Sequence, residues 1–346
     1  MLLIAVRDAL WRWRRFLVAL VATALVLSLT LVLDGVNRSF PNEARRTVAA
    51  FGAGAWVVPE GASSVFFSST VLQADTAAAV AALPGAEQAS AVAVLNGALP
   101  DETNVNMLGV VPGLFTDPPV VDGRAPTAPG EATADPSLGI ELGETTAING
   151  HPFTIVGLTS GLSYAAGIYS MYVPLVDAQA IGYGGQPLAT TVVTKGIPTE
   201  ALDGFTTVDD AFVEDDLLAP LVNARKTIGL VLGLLWIVAA MVIGSVVYLT
   251  SIDRSRDFAV LKATGATNQS LLAGLAFQAS MLSGGASALA VVMSFGLKSA
   301  FPMETEIAPA SYITLAAVAI GVALVAAGVS ARRTLQIDPA LAFAGA

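Results

Sequence analysis

The sequence predicts a membrane protein made of an α-helical four-transmembrane bundle and an α+β extracytoplasmic domain. Three observations predict this fold class. Of the 346 residues, 54% are apolar and 13% are charged, whereas ordinary soluble domains have about 25% charged residues. The apolar excess is concentrated in four long uncharged runs. Between the first and second runs lies a long segment, residues 35–227, that carries most of the acidic residues.

The four runs are long enough to cross a bilayer as helices. They contain 18, 22, 27 and 18 residues without a charge, and a helix of about 18–20 apolar residues spans the hydrocarbon layer. We assign transmembrane helices to residues 16–34, 228–250, 271–298 and 312–330.

The first run could instead be a signal peptide, since Arg12, Arg14 and Arg15 form a basic region before it. Its apolar part is longer than the usual stretch of about 7–15 residues, however, and Leu33-Asp34-Gly35 offers no small-x-small cleavage site. We therefore expect it to remain as a membrane anchor.

Positive charge predicts the orientation of the helices. Cytoplasmic loops are enriched in Lys and Arg, and the basic segments here are the N-terminus 1–15, the connector 251–270 and the tail 331–346. Four crossings place these three segments on one side, which we take to be the cytoplasm. Residues 35–227 and the short loop 299–311 then lie outside.

The N-terminal segment is predicted to contact membrane lipid. Trp11 and Trp13 stand beside its arginines, and aromatic and basic residues are typical of a helix that lies in the membrane interface. We expect residues 1–15 to form an amphipathic elbow helix along the inner leaflet.

The extracytoplasmic segment is acidic and mixed in secondary structure. From Gly35 to Ala224 it contains 20 acidic residues against five basic ones, a net charge of −15. Capping and turn signals predict a helix over 75–83 with Asp75 as N-cap, then a strand over 89–95 that ends in a turn at Asn96-Gly97. A loop is predicted over 113–129, followed by a hairpin of strands 144–148 and 152–158 around Asn149-Gly150. Two further strands are predicted over 171–174 and 190–194.

An acidic stretch, residues 209–216, leads into the second transmembrane helix. We interpret it as a solvated helix face. A cation site needs oxygens that converge in a tight loop, and no D-x-D-x-D-G pattern occurs here.

The motifs of several enzyme classes are absent from the sequence. It has no G-x-x-x-x-G-K-S/T P-loop, no G-x-S-x-G elbow and no H-E-x-x-H, and it contains no cysteine. Its one histidine, His151, is in the Asn-Gly-His-Pro turn and is expected to be a solvated surface residue. No catalytic, cofactor-binding or metal-binding residue is predicted, and the acidic charge disfavours nucleic acid as a partner.

The membrane runs carry small residues at four-residue spacing and no charges. The absence of charges disfavours a self-contained secondary transporter, because proton and ion paths are lined by ionisable groups. Small-residue stripes let helices approach closely, although they also arise by chance in a chain rich in Ala and Gly. The candidate packing residues are Gly229 and Gly233 in the second helix and Ala276, Ser280, Gly284 and Ala288 in the third.

The connector between the second and third helices is more than a polar turn. Residues 256–264 can form a short helix with apolar side chains between charges, and Gly265 suits its C-terminal cap. Such a helix can dock in a groove on a partner protein or lie on lipid. The pattern alone leaves both readings open.

The connector also resembles a known family. Arg256-Asp-Phe-Ala-Val-Leu-Lys-Ala-Thr-Gly-Ala-Thr is similar to the R-E-I/F-A/G-V/I-L-R/K-A-L/I-G-A segment of the FtsX/MacB-like permeases of ABC transporters. Asp257 and Thr264 depart from that pattern. Family-like segments elsewhere occur in the usual order: Leu83-Pro-Gly-Ala, Gly109-Val-Val-Pro, Asp122-Gly-Arg, Gly130-Glu-Ala, Leu142-Gly-Glu-Thr, Phe153-Thr-Ile-Val-Gly-Leu and the tail Arg333-Thr-Leu-Gln-Ile-Asp-Pro-Ala-Leu-Ala-Phe.

The resemblance implies a permease of the bacterial cell membrane that works as a homodimer or heterodimer with two copies of a separate ABC-type ATPase. ATP and magnesium would bind to that ATPase, with no cofactor on this chain. Closure of the ATPases would be relayed along the helices to the outer domains, which is called mechanotransmission, and would export or extract a substrate. The implied ATPase-coupling residues are Arg254, Arg256, Asp257, Phe258, Leu261, Lys262 and Gly265.

Two other functions remain open at this point. The chain could be an ATPase-coupled signalling or scaffold protein whose acidic outer domain regulates a cell-envelope partner. It could also be a component of an amino-acid importer, although the membrane runs offer few polar groups for a translocation path. An extracytoplasmic protein or a lipid is a further expected partner or substrate.

Overall fold

The computed structural model describes residues 13–253, 267–298 and 307–334, together with Val260 and Gly265. The chain divides into two compact units, one of Met1–Arg38 with Arg225–Ala346 and the other of Ser39–Ala224. The predicted elbow helix, most of the connector and the tail fall outside the described residues.

The described helices and strands alternate along the outer segment and give way to long helices at both ends. The helices are α1 (Trp13–Ala50), α2 (Thr76–Ala81), α3 (Leu175–Gly182), α4 (Asp210–Leu218), α5 (Val222–Asp253), α6 (Asn268–Lys298) and α7 (Pro309–Thr334). The strands are β1 (Ala55–Pro59), β2 (Leu72–Gln73), β3 (Gln88–Ala98), β4 (Asn104–Val110), β5 (Asp122–Gly123), β6 (Glu131–Ala134), β7 (Thr145–Ile148), β8 (His151–Leu158), β9 (Ser163–Tyr164), β10 (Ile168–Pro174), β11 (Leu188–Ala189), β12 (Thr191–Lys195) and β13 (Phe205–Val208).

Four helical segments are long and apolar enough to cross a membrane, which confirms the predicted number. They are Phe16–Ala50, Asp210–Leu249, Asn268–Leu297 and Pro309–Val329. All four are longer than the uncharged runs that predicted them, the last two by three residues and the first two by 17 and 18. Charges at the end of a run stop a membrane-spanning segment without stopping a helix, so α1 continues past Asp34 through Ala50.

The second unit is built on a mixed seven-stranded sheet with the order β13-β1-β12-β3-β4-β10-β9. The pair β4 and β10 is parallel, and the other neighbours in this sheet are antiparallel. A smaller sheet places β8 between β5 and β6, with β7 paired to β8 as well. Short helices and mixed sheets together match the predicted α+β class.

Both faces of the seven-stranded sheet are buried. One face packs with α2, α3 and the smaller sheet in a cluster that includes Val57, Val80, Ala93, Met107, Ile155, Met171 and Ala178. The other face packs with the last turns of α1 and with α4 in a cluster that includes Val48, Phe51, Trp56, Val92, Leu108, Tyr172, Val213 and Leu217. A strand buried on both faces is apolar at successive positions, which explains the continuous apolar runs in β3, β4 and β10.

The predicted hairpin around Asn149-Gly150 is confirmed. Strands β7 and β8 are antiparallel, with Ile148 opposite His151, and Asn149 has a positive φ of 51°. The Asn149 side chain also joins the hairpin to β3, because its Oδ1 accepts a hydrogen bond from the Ala98 amide at 2.9 Å.

The predicted turn at Asn96-Gly97 is wrong. Both residues lie inside β3, where they pair with Asn106 and Val105 of β4, and the chain turns later, at residues 99–103. Gly97 is small for a packing reason, since a Cβ there would lie 2.7 Å from Cγ2 of Ile148. Glycine is favoured both in turns and where a neighbouring side chain packs closely against the backbone. The sequence alone did not show which of the two reasons applies to Gly97.

The helix predicted after Asp75 is present as α2, but its cap differs from the expected one. Asp75 precedes the helix in an αR conformation and makes no side-chain capping hydrogen bond. An N-cap side chain reaches the helix amides from an extended backbone conformation, so the carboxylate does not cap here.

The prediction of a solvated acidic face is wrong for Asp210 and Asp216, whereas Asp209 is exposed and caps α4. Asp209 accepts a hydrogen bond from an amide of the first helical turn at 2.9 Å, and Asp210 accepts one from Nε1 of Trp56 at 2.8 Å. Asp216 is buried and accepts hydrogen bonds from residues 64–66. The donors to Asp210 and Asp216 are about 150 residues away in the chain, so no local pattern indicated them.

Candidate functional site

The membrane helices of the first unit pack through a stripe of buried residues at three- and four-residue spacing. On α6 these are Leu271, Leu275, Ala279, Leu282, Ala286 and Ala290, and on α7 they are Leu315, Ala319, Ala323 and Ala327. Leu275 and Ala279 cluster with Ala323 and Ala327, while the residues further along α6 cluster with the beginning of α7. The two helices are therefore antiparallel neighbours joined by small residues.

The predicted stripe on α6 lies beside this buried one. Ala276, Ser280 and Gly284 are half-buried and Ala288 is exposed. One residue along a helix is a rotation of about 100°, so these residues are turned away from the line through Leu275 and Ala279. The four-residue spacing alone did not show which face of α6 would be buried.

The predicted G-x-x-x-G pair on α5 makes no helix contact within the described part of the chain. Gly229 and Gly233 are exposed, and a Cβ built on either would meet no atom within 4 Å. Their predicted role in helix packing therefore stays a prediction.

Hydroxyl groups buried in the bundle donate to carbonyls of their own helices. Thr23 and Thr30 donate to the carbonyls four residues earlier at 2.8 Å, and Ser283 and Ser287 do the same at 2.9 and 2.8 Å. Such bonds satisfy a hydroxyl donor inside an apolar bundle. These protons are held within the helices and do not face one another across a polar channel.

A polar cluster at one end of the bundle was not predicted from the sequence. Asp34 Oδ2 accepts a hydrogen bond from Arg38 Nε at 2.9 Å and another from Ser311 Oγ at 3.0 Å. The spacing of Asp34 and Arg38 is the ordinary i,i+4 ion-pair signal. The serine comes from α7, 277 residues away, and only the fold brings it to the pair.

The ATPase-coupling residues predicted in the connector lie outside the described residues, except for Gly265. Gly265 has φ +99°, a conformation that glycine adopts readily and other residues rarely do. Within the same connector, Val260 is helical and exposed.

The second unit contains ionised groups held in a surface turn. Arg124 donates from Nη1 to Oε2 of Glu131 at 2.7 Å, and its Nη2 also donates to Oε1. The hydrogen bonds from Arg124 and from the amides of Thr127 and Ala128 lower the pKa of Glu131 to about 2. His151 is exposed, and no three Asp, Glu or His side chains in the described ranges gather as metal ligands would.

Comparison with known proteins gives matches over part and over all of the chain. The model of the FtsX-like permease C-terminal domain matches residues 229–339. The uncharacterized ABC transporter permease Rv2563 of Mycobacterium tuberculosis (strain H37Rv) is 38% identical over 351 residues, covering 100% of both chains. A second permease of that organism, Rv0072, is 35% identical with the same coverage.

Two solved structures show weaker similarity to the outer region. The extracellular domain of the ABC-type transporter YknZ from Gram-positive bacteria has a TM-score of 0.34 at 14% identity, and covers 45% of this chain and 99% of its own. The periplasmic region of MacB from Actinobacillus actinomycetemcomitans has a TM-score of 0.36 at 13% identity, and covers 47% of this chain and 93% of its own.

Three observations indicate the same family: the full-length matches to permeases, the match of the FtsX-like model to residues 229–339, and the four candidate membrane spans. Membership implies an ATPase partner, since a permease of this kind is one subunit of an ATP-driven transporter. The chain belongs to the ABC transporter permease family, with an FtsX-like C-terminal domain.

Proposed function

We propose that this chain couples ATP hydrolysis by a separate cytoplasmic ATPase to the export or extraction of a substrate on the outer side of the membrane. The observation that carries the proposal is the division of the chain. A folded unit, Ser39–Ala224, lies between the first two uncharged runs of a permease, residues 16–33 and 228–249. In this proposal, the unit that acts on the substrate outside the membrane is joined directly in sequence to two membrane helices.

The interior of the bundle supports mechanotransmission over conduction between the helices. The buried hydroxyls of Thr23, Thr30, Ser283 and Ser287 donate to their own backbone, and the buried stripes are formed mainly by Ala and Leu. A translocation path needs polar or ionisable groups facing a cavity. The polar groups that do face a cavity, Asp34 and Arg38, lie at one end of the bundle, and the buried stripes between the helices are better suited to transmit movement along them.

The arrangement of partners follows from the same proposal. A second permease copy completes the membrane unit, and the exposed Gly229 and Gly233 are candidate contacts with it. ATP and magnesium bind to the ATPase, so this chain needs no nucleotide site of its own. The basic segments, including both termini, face the cytoplasm of a bacterial cell, and residues 1–15 lie on lipid.

The connector carries the contact with the ATPase. In a helix of 3.6 residues per turn, Leu261 lies about 60° from Phe258, whereas Val260 lies about 160° from it. Phe258 and Leu261 therefore share a face that Val260 does not. An apolar face of this kind fits a groove on a partner, and Arg254 and Lys262 would each lie about 40° from Phe258, on opposite sides of it.

The test compares matched variants of the full-length chain purified together with its ATPase. Phe258→Asp and Leu261→Asp are expected to abolish stimulation of ATP hydrolysis by the permease, and Arg256→Glu to weaken it. Val260→Asp places the same charge on the opposite face and is expected to leave stimulation intact. ATPase rate and co-purified ATPase are measured for each variant that inserts in the membrane.

Two results would count against the proposal. If stimulation survives in all three variants, the connector does not couple to the ATPase. If Val260→Asp disrupts membrane insertion and Phe258→Asp does not affect hydrolysis, the segment lies on lipid instead of on a protein.

A further inference from the structure

The polar cluster at Asp34 lines a cavity in the first unit. The cavity has a volume of about 200 Å³ and lies among α1, α5 and α7. Its polar lining comes from Thr30, Asp34, Arg38, Trp236, Ser311 and Thr314, and three leucines supply the apolar wall. It is at the end of the bundle from which α1 continues into residues 39–50.

The ion pair in this cavity is only partly satisfied within the described residues. Arg38 uses Nε to contact Asp34, and its two Nη groups have no partner there. Among the described residues, Asp34 receives both of its hydrogen bonds on Oδ2, and its Oδ1 receives none. The Arg38 side chain is 51% exposed and that of Asp34 is 30% exposed, so a ligand can reach both groups.

The Nη groups of Arg38 and the Oδ1 atom of Asp34 indicate which chemical groups a ligand would need. The Nη groups of an arginine form a fork that binds phosphate through two hydrogen bonds. A carboxylate oxygen next to it accepts a hydrogen bond from an ammonium group. A ligand that carries both a phosphate and a primary ammonium would therefore satisfy Arg38 and Asp34 together.

Size and surroundings separate a lipid from a small polar solute. Pockets that enclose a whole drug-sized ligand measure about 300–1,000 Å³, so about 200 Å³ accommodates a headgroup and leaves acyl chains outside. The leucine wall is apolar, and Trp236 is of the residue type that occupies the headgroup region of membranes. Both features fit an amphiphile held at the edge of the bilayer.

We propose that this cavity binds the headgroup of a phosphatidylethanolamine from the membrane leaflet on the side of residues 39–224, with Arg38 on the phosphate and Asp34 Oδ1 on the ammonium. Ser311 positions Asp34 by donating to Oδ2. Phosphatidylglycerol lacks the ammonium, and the quaternary ammonium of phosphatidylcholine has no N–H to donate. The site therefore prefers phosphatidylethanolamine to both.

The experiment measures lipid binding to the full-length chain in detergent by native mass spectrometry, with phosphatidylethanolamine, phosphatidylglycerol and phosphatidylcholine titrated separately. The variant Arg38→Gln is expected to weaken phosphatidylethanolamine binding about tenfold or more, the scale of a lost charged hydrogen bond. Asp34→Asn is expected to abolish the preference over phosphatidylglycerol. Arg45→Gln, the same charge change seven residues further along α1, is the matched control and is expected to bind as the unaltered chain does.

A second variant keeps the test valid if Arg38→Gln does not fold. Arg38→Lys retains the charge beside Asp34 but loses the planar fork, and is expected to bind phosphatidylethanolamine several-fold more weakly. Equal binding by Arg38→Gln, Arg38→Lys and Arg45→Gln would overturn the proposal. So would full competition by millimolar inorganic phosphate with no preference among the three lipids, because the site would then take a free anion.

Discussion

The Asp216 carboxylate accepts a hydrogen bond from Oγ of Ser64 at 2.7 Å, across 152 positions of the chain. The same Oδ2 atom accepts from the amides of Val65 and Phe66 at 2.8 and 3.2 Å. One buried oxygen on α4 thus fixes the loop that follows β1. The loop brings Phe66 into the aromatic cluster, with its ring centroid 5.8 Å from that of Trp56.

Replacing Asp216 with Ala should destabilise the second unit by about 3 kcal/mol, because buried donors would lose their acceptor. Asp215→Ala is the control, since its side chain is exposed and such substitutions usually change stability by at most about 0.5 kcal/mol. Urea unfolding of the full-length chain, followed by Trp56 fluorescence after Trp11, Trp13 and Trp236 are changed to Phe, measures both. Equal stability of the two variants would refute this role of Asp216.

The ion pair of Arg124 and Glu131 predicts a pH dependence. Because the folded pKa of Glu131 is lowered from 4.5 to about 2, its stabilising effect is fully present above pH 4.5 and is lost as pH falls toward 2. Glu131→Gln should remove that dependence and cost about 1 kcal/mol at neutral pH, after allowance for solvent screening.

Hydrogen exchange of the β6 amides between pH 5 and 2 measures this dependence in the full-length chain, with rates corrected for intrinsic exchange. Glu141→Gln is the control because Glu141 is exposed and carries the same charge. If the unaltered chain and Glu131→Gln lost protection in parallel over this range, the contribution of Glu131 would be refuted.

Gly109 of β4 is expected to tolerate no side chain, because its added Cβ would overlap the Cβ of Ala178 on α3. Gly109→Ala should destabilise the second unit by about 1–3 kcal/mol, the usual cost of overpacking. Ala178→Gly removes the opposing methyl group and should restore part of that loss in the double variant. The coupling energy from a double-mutant cycle in urea tests the contact, and additive effects would contradict it.

The buried stripe on α6 predicts which small residues hold the bundle together. Ala279→Leu should lower the melting temperature in detergent, because Ala279 is 2% exposed and packs with α7. Ala288→Leu makes the same change at an exposed position of the same helix and should leave the melting temperature of the isolated chain unchanged. A larger loss for Ala288→Leu would mean that the predicted stripe, and not the observed one, forms the helix contact.

The sequence predicted the features that depend on neighbouring residues. Four uncharged runs predicted four helices, and the Asn149-Gly150 pair predicted its hairpin, since run length and turn chemistry are local properties. Asn96-Gly97 shows the limit of such signals, because β4 pairs with both residues and keeps the strand extended. The two Asn-Gly pairs have the same residues, and they differ in whether a neighbouring strand pairs with them.

Features that depend on distant residues could not be predicted from the sequence. The acidic residues of α4 looked solvated because their partners, Trp56 and residues 64–66, lie far along the chain. The cavity around Asp34 depends in the same way on Ser311. For α6 the periodicity was visible, but the buried face was decided by the helices packed around it.

Because helices or a second sheet cover both faces of the seven-stranded sheet, its strand edges and connecting loops are the parts of that sheet that remain accessible. Insertions in exposed loops cost little stability, whereas a substitution within the covered strands disturbs one cluster or the other. Relatives that handle different substrates should therefore differ most in loop length and loop sequence. Exchanging loops between such relatives would be the natural way to transfer specificity while leaving the scaffold unchanged.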